Sequence, residues 1–173
     1  LETRIVTAVV QGITVASIYV PNGGRSFEAK MEFLAAMQSY AAEARRDDRP
    51  LVLCGDFNVA PDDRDVWDAA ACHGGTHVSG PEREALAEVE AWGLVDVLRR
   101  RYDQDGLFSW WDYQAGAFHK HRGMRIDLLL ASAPLAERLR WVLVDRNARK
   151  GSKPSDHAPL VADFAPATVG VDG

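Results

Sequence analysis

Three short polar sites stand at the ends of apolar, strand-like runs. They are Asp56 with Asn58 after Leu51-Val52-Leu53-Cys54, Asp127 after Arg125-Ile126, and Asp156-His157 at the entry to the run around Ala158 to Phe164. A carboxylate buried at a strand end costs roughly several kcal/mol unless it is paired or bound to a cation, so its recurrence calls for a shared partner. A hard divalent metal is the simplest one. Mg²⁺ accepts one or two carboxylates, keeps several waters, and leaves positions for phosphate oxygens, which is the coordination of a phosphoryl-transfer site. His157 adds a group that titrates near neutrality, and a carboxylate on one ring nitrogen would fix its tautomer and raise its pKa. Asp127 is the candidate for that carboxylate.

Positioning these groups takes a mixed fold. Residues 3–10 and 13–20 are β-branched and apolar around Gln11-Gly12, a hairpin pattern. After Pro21-Asn22-Gly23-Gly24, the residues Phe27, Met31, Leu34, Met37 and Ala41 recur at helical spacing as far as the charged run 45–49, with Ser26 as the cap. Residues 50–54 form a short apolar strand that delivers Asp56 to a sheet rim. A short helical segment is expected around Val66 to Ala71. Ser79-Gly80-Pro81-Glu82 is a capping box opening a helix that Gly93 stops, and a helical piece follows over Leu94 to Arg101. Phe108 to Asp112, Arg125 to Ala131, Trp141 to Val144 and Ala158 to Phe164 read as strands, with hairpin-length connections favouring antiparallel pairing. There is no repeat or linker, so residues 1–173 are expected to form a single α+β domain, with 165–173 as a flexible tail.

Composition is ordinary for a globular chain, 47% hydrophobic and 26% charged. No apolar run approaches the roughly 20 residues of a membrane helix, so no membrane partner is expected. Two cysteines cannot build a disulfide framework and point to a reducing, cytoplasmic compartment. The net charge of −5 speaks against nucleic acid as a sum, but cations concentrate at Arg99 to Arg101, His119 to Arg122 and Arg146 to Lys153, a pattern that fits one basic face. No Gly-x-Ser-x-Gly elbow occurs, which disfavours a serine hydrolase. A zinc site from Cys72, His73 and His77 is weak, because Gly74-Gly75 disrupts the spacing and a fourth ligand is not evident.

The series Tyr19-Val20-Pro21-Asn22-Gly23, Gly55-Asp56-Phe57-Asn58, Arg125-Ile126-Asp127-Leu128-Leu129-Leu130 and Ser155-Asp156-His157 resembles, in order and spacing, the motifs of the exonuclease III family of abasic-site endonucleases, within the endonuclease/exonuclease/phosphatase superfamily. Phe108 to Tyr113, with Thr76 to Ser79 and Pro81 to Glu84, is similar to its bacterial branch. The resemblance implies a four-layer α/β/β/α sandwich. It also implies Mg²⁺ (or Mn²⁺) as cofactor, a bacterial cytoplasmic setting, and double-stranded DNA with abasic sites or 3′ ends as partner. The activity implied is incision 5′ to abasic sites and removal of 3′ nucleotides or blocking groups. By that resemblance Asp56 orients or deprotonates the attacking water, Asn58 holds phosphate and nucleophile in line, Tyr19 donates to the phosphate, and His157 with Asp127 stabilises developing charge. Asp56, Asn58, Asp156 and His157 surround the metal, Trp110 packs on the extruded sugar, and Asn22 and Arg122 lie near the DNA backbone. The family also carries an Asn and a metal-binding Glu near its N-terminus that have no counterpart here. The chain therefore reads as the C-terminal two-thirds of the domain, inactive by itself, with exposed sheet edges inviting self-association. The rivals are a non-catalytic DNA-binding module on the same fold and a sister phosphodiesterase acting on inositol phosphates or sphingomyelin.

Overall fold

A computed structural model of the protein describes residues 4–44 and 49–167. The hairpin of β1 (Ile5–Val10) and β2 (Ile13–Tyr19) turns at Gln11 and Gly12, both at positive φ, the geometry of a tight primed turn. Helix α1 (Phe27–Ala44) begins where the Ser26 hydroxyl accepts a hydrogen bond from the Ala29 amide, 3.0 Å. Most of the charged run expected to end it, 45–48, lies outside the described residues. β3 (Leu51–Asp56) then enters the sheet beside β2.

The main sheet has the order β1-β2-β3-β5-β4, with β4 at Leu94–Asp96 and β5 at Asp127–Ser132. Every pairing in it is antiparallel except β2 with β3, which the α1 crossover makes parallel, a departure from the antiparallel expectation. On one face α1 and α3 (Gly80–Glu90) seal a core that includes Leu34, Met37, Leu53, Phe57, Leu86, Val89, Leu128 and Leu130. On the other face β6 (Leu139–Val144) pairs with β7 (Leu160–Phe164). Together with α4 (Val97–Arg101) and α5 (Ala133–Ala136) they bury Val52, Leu98, Leu129, Leu135 and Val142. Helix, sheet and second sheet are layers of the α+β sandwich that the resemblance implies.

Local expectations fail at three places. Leu94 to Asp96 is a strand and only Val97 onward is helical, because pairing with Leu130 to Ser132 overrides the helical reading of so short a stretch. Phe108 to Asp112 forms no strand. Trp110 makes isolated bridges to Met124 and to His157, tying two loops rather than joining a sheet. The helical segment near Val66 is confined to α2 (Ala69–Cys72), preceded by one 3₁₀ turn at Asp63–Asp65, while Val66 bridges to Met124. Of the expected tail, Ala165 exchanges hydrogen bonds with Arg138, both 2.7 Å, and 168–173 lie outside the described residues. No helix among the described residues is long and apolar enough to cross a membrane.

Candidate functional site

Strand register builds the site. Tyr19 is paired with Asp56 across β2 and β3, and Asp56 with Asp127 across β3 and β5, so three neighbouring strands end in a row of phenol, carboxylate and carboxylate. Gly55 makes this possible: at φ +133° a Cβ there would lie 2.1 Å from the Ile18 carbonyl oxygen. Only glycine permits the close β2–β3 approach one residue before Asp56.

Beyond Asp56 the chain reverses through Asn58, which adopts φ +52°. The Asn58 backbone amide donates to Asp56 Oδ1 (2.9 Å), and its side-chain amide donates to Asp56 Oδ2 (3.0 Å) and to the Val20 carbonyl (2.9 Å). Asn22 approaches from the next loop, its amide 3.4 Å from Asn58 Oδ1. His157 Nδ1 lies 2.8 Å from Asp127 Oδ2, with both side chains partly exposed. The Ser109 hydroxyl accepts from the amides of Ile126 (3.2 Å) and Asp127 (3.0 Å), which steadies the start of β5. Trp110 Nε1 donates to Asp156 Oδ2 (3.1 Å), so the Trp-rich loop grips the loop carrying His157.

The structure therefore brings Tyr19, Asn22, Asp56, Asn58, Asp127 and His157 together at one rim, with Trp110 and Asp156 adjoining. Arg122 sits farther out on the loop before Met124, its guanidinium 4.9 Å above the Trp67 ring. Trp111, the chain neighbour of Trp110, is fully buried. No cluster of three or more His, Cys, Asp or Glu side chains among the described residues forms a metal cage.

Electrostatics sharpen the arrangement. Burial and the facing Asp127 carboxylate lift Asp56 from 3.8 to about 6. Burial disfavours the His157 cation, but the hydrogen bond and charge of Asp127, with Asp56 and Asp156 beyond, outweigh it and raise the imidazole pKa. Because the folded state holds the Asp56 proton more tightly than the unfolded chain, the stability it contributes is complete below pH 3.8 and is lost as pH rises through about 6. A carboxyl-carbon NMR titration of the metal-free protein is expected to place Asp56 near 6 and lower in Asp127→Asn; an unmoved midpoint in that variant contradicts the coupling.

Some residues at the site escape the motif series. Buried Lys30 and Glu82, with half-buried His77, form a network behind Asn58. A signal existed for Lys30, since positions 30, 34, 37 and 41 share one helical stripe and all four are buried.

The sequence matches the endonuclease/exonuclease/phosphatase family over residues 2–157. The chain belongs to this family. Among relatives, it is 34% identical to the exodeoxyribonuclease of Bacillus subtilis, over 92% of this chain and 63% of that protein. Among solved structures of similar fold are a 3′ phosphatase from Neisseria bound to product DNA hairpin (TM-score 0.90, 34% identity, 94% of this chain and 65% of that one) and an AP endonuclease from Archaeoglobus fulgidus (TM-score 0.89, 34% identity, 93% and 65%). The chain spans under two thirds of the length of these family members.

Proposed function

We propose that this chain supplies most of the catalytic rim of a metal-assisted DNA phosphodiesterase that incises at abasic sites and trims 3′ ends. The observation that carries the reading is the convergence of Asp56, Asp127 and His157 from β3, β5 and the loop before β7, with Tyr19 and Asn58 alongside. The names of its relatives, which span exodeoxyribonuclease, 3′ phosphatase and AP endonuclease, support DNA as the substrate class.

Asp56, with its pKa near 6, suits a base that takes the proton of an attacking water at neutral pH. Asn58, tied to both Asp56 oxygens, would align that water with the phosphate. His157, its pKa raised and Nδ1 committed to Asp127, would offer its other ring nitrogen to a non-bridging phosphate oxygen as charge builds. The exposed Tyr19 phenol would donate to the same phosphate. Trp110 would pack against the extruded sugar, and Asn22 and Arg122 would lie along the DNA backbone. For the cation, the residues present fit an open oxygen site of the Mg²⁺ kind, with Mn²⁺ as the substitute. Two carboxylates, Asp56 and Asp127, face each other across β3 and β5, and Asp56, Asn58, Asp156 and His157 would border the ion. When bound, the ion would polarise the phosphate and lower the pKa of water. The exposed valines of β1, Val6, Val9 and Val10, support self-association through that edge strand.

The test is incision of three duplexes, carrying an abasic analogue, a recessed 3′ end or a 3′ phosphate, by the complete protein that carries this chain. Mg²⁺-dependent cleavage that chelation abolishes is expected on at least one. Tight DNA binding with no cleavage of any would replace the enzyme with a binding module.

A further inference from the structure

The amide of Asn58 works only if its backbone keeps the left-handed turn that no strand or helix enforces, and two side chains outside the four-part motif series, Lys30 and His77, converge on that turn. Lys30 Nζ, fully buried, donates to the Asn58 carbonyl oxygen at 2.6 Å, to the Asn22 carbonyl at 3.4 Å, and to Glu82 Oε1. All three ammonium hydrogens are thus used. His77 Nδ1 lies 2.6 Å from the same Asn58 carbonyl, and since a carbonyl only accepts, Nδ1 must carry the hydrogen. In the neutral ring Nε2 is then an acceptor, and it lies 3.4 Å from the Asn22 side-chain amide. Glu82 closes the circuit: its oxygens accept from the amides of His77 and Ser79, both 3.0 Å, and from the Ser79 hydroxyl. Gly23, at φ +90°, lets the chain pass over the Lys30 stem, where a Cβ would come within 3.0 Å of Cδ.

We infer that Lys30 and His77 are positioning residues for phosphodiester hydrolysis, a two-donor brace on the Asn58 carbonyl that fixes the Asn58 turn and, through it, the Asp56 carboxylate and the Asn22 side chain at the rim. This rests on the proposed function for its chemistry but not for its geometry. His77 stands at φ +82°, so His77→Gly removes the ring without backbone strain, and His77→Asn restores a donor at the Nδ1 position in a residue that tolerates the same conformation. Because Lys30→Met alone would strand a buried Glu82 carboxylate, the matching variant is the double Lys30→Met with Glu82→Gln.

Two readouts are taken on the complete protein carrying this chain, well below its melting temperature. In steady-state incision of abasic duplex, His77→Gly and the double variant are expected to lose about tenfold or more in kcat with KM moving less than about threefold, and His77→Asn to recover most of the loss. By NMR, solvent exchange of the Asn58 side-chain amide is expected to speed up about tenfold in His77→Gly and return in His77→Asn. Unchanged exchange in His77→Gly overturns the brace whatever the activity does, and so does a wild-type kcat in an active protein. Accelerated exchange in a protein that cleaves no DNA keeps the brace and removes the proposed function instead.

Discussion

Replacing His157 or Asp56 with alanine in the complete protein is expected to slow DNA incision by about two orders of magnitude or more, the usual loss when a positioned base or charge-stabilising group is removed. For His157 the reasoning is geometric. Its ring is held by Asp127 at 2.8 Å, and the surrounding carboxylates raise its pKa above that of a free imidazole, so alanine removes an oriented, readily protonated donor from the rim. For Asp56 the loss is double, because the same carboxylate anchors both the backbone and side-chain amides of Asn58. Rates from single-turnover assays at saturating DNA isolate this step from binding. Turnover within a few-fold of wild type in either variant would show that the chemistry lies elsewhere.

The largest effect on stability is expected at Arg125. Its guanidinium bonds Asp65 in bidentate fashion, Nε to Oδ1 at 2.7 Å and Nη2 to Oδ2 at 3.0 Å, and reaches Asp96 Oδ2 at 2.6 Å. Arg99 adds a further ion pair to Asp65, and Arg125 and Asp65 are both fully buried. Arg125→Met leaves two acidic groups without their main counter-ion in the interior, which costs about 3–5 kcal/mol. Urea denaturation should show this as a lowered midpoint, and Arg125→Met combined with Asp65→Asn should regain part of it; an unshifted midpoint in the single variant would refute the role. The pH sense follows from Asp65: burial alone would raise its pKa, but Arg125 and Arg99 prevail and hold it below 3.8. Its contribution is present above pH 3.8 and fades as pH falls through the lower folded value, so wild type and Asp65→Asn should converge only under acid.

Much of this was visible in the chain itself because the signals were local. Gln11-Gly12, Ser26, the Ser79 to Glu82 box and the apolar run before Asp56 each specify a turn, cap or strand from a few neighbouring residues. The acid and imidazole positions were legible for the same reason, since each stands beside such an element. What lay hidden depends on partners distant in sequence. The three-residue strand at Leu94 exists only by leaning on β5, and Trp110 bridges two loops instead of extending a ladder. Lys30 could be placed on a buried stripe, but the carboxylate that makes its burial tolerable comes from α3. His77 sits in a loop that makes only a weak zinc site and that resembles the family's bacterial branch, but only the fold turns its ring toward Asn58.

The pairing of β5 against β3 has a kinetic consequence. Asp56 and Asp127 become neighbours only when these two strands close across a long stretch of intervening chain, and His157 arrives from later still. Closing such a loop is entropically slow and belongs late in folding. An early, locally ordered intermediate therefore has no way to capture a cation or a phosphate. A ligand held at this rim should act as a latch on the finished sheet, lengthening the lifetime of the native state while leaving the speed of its formation unchanged.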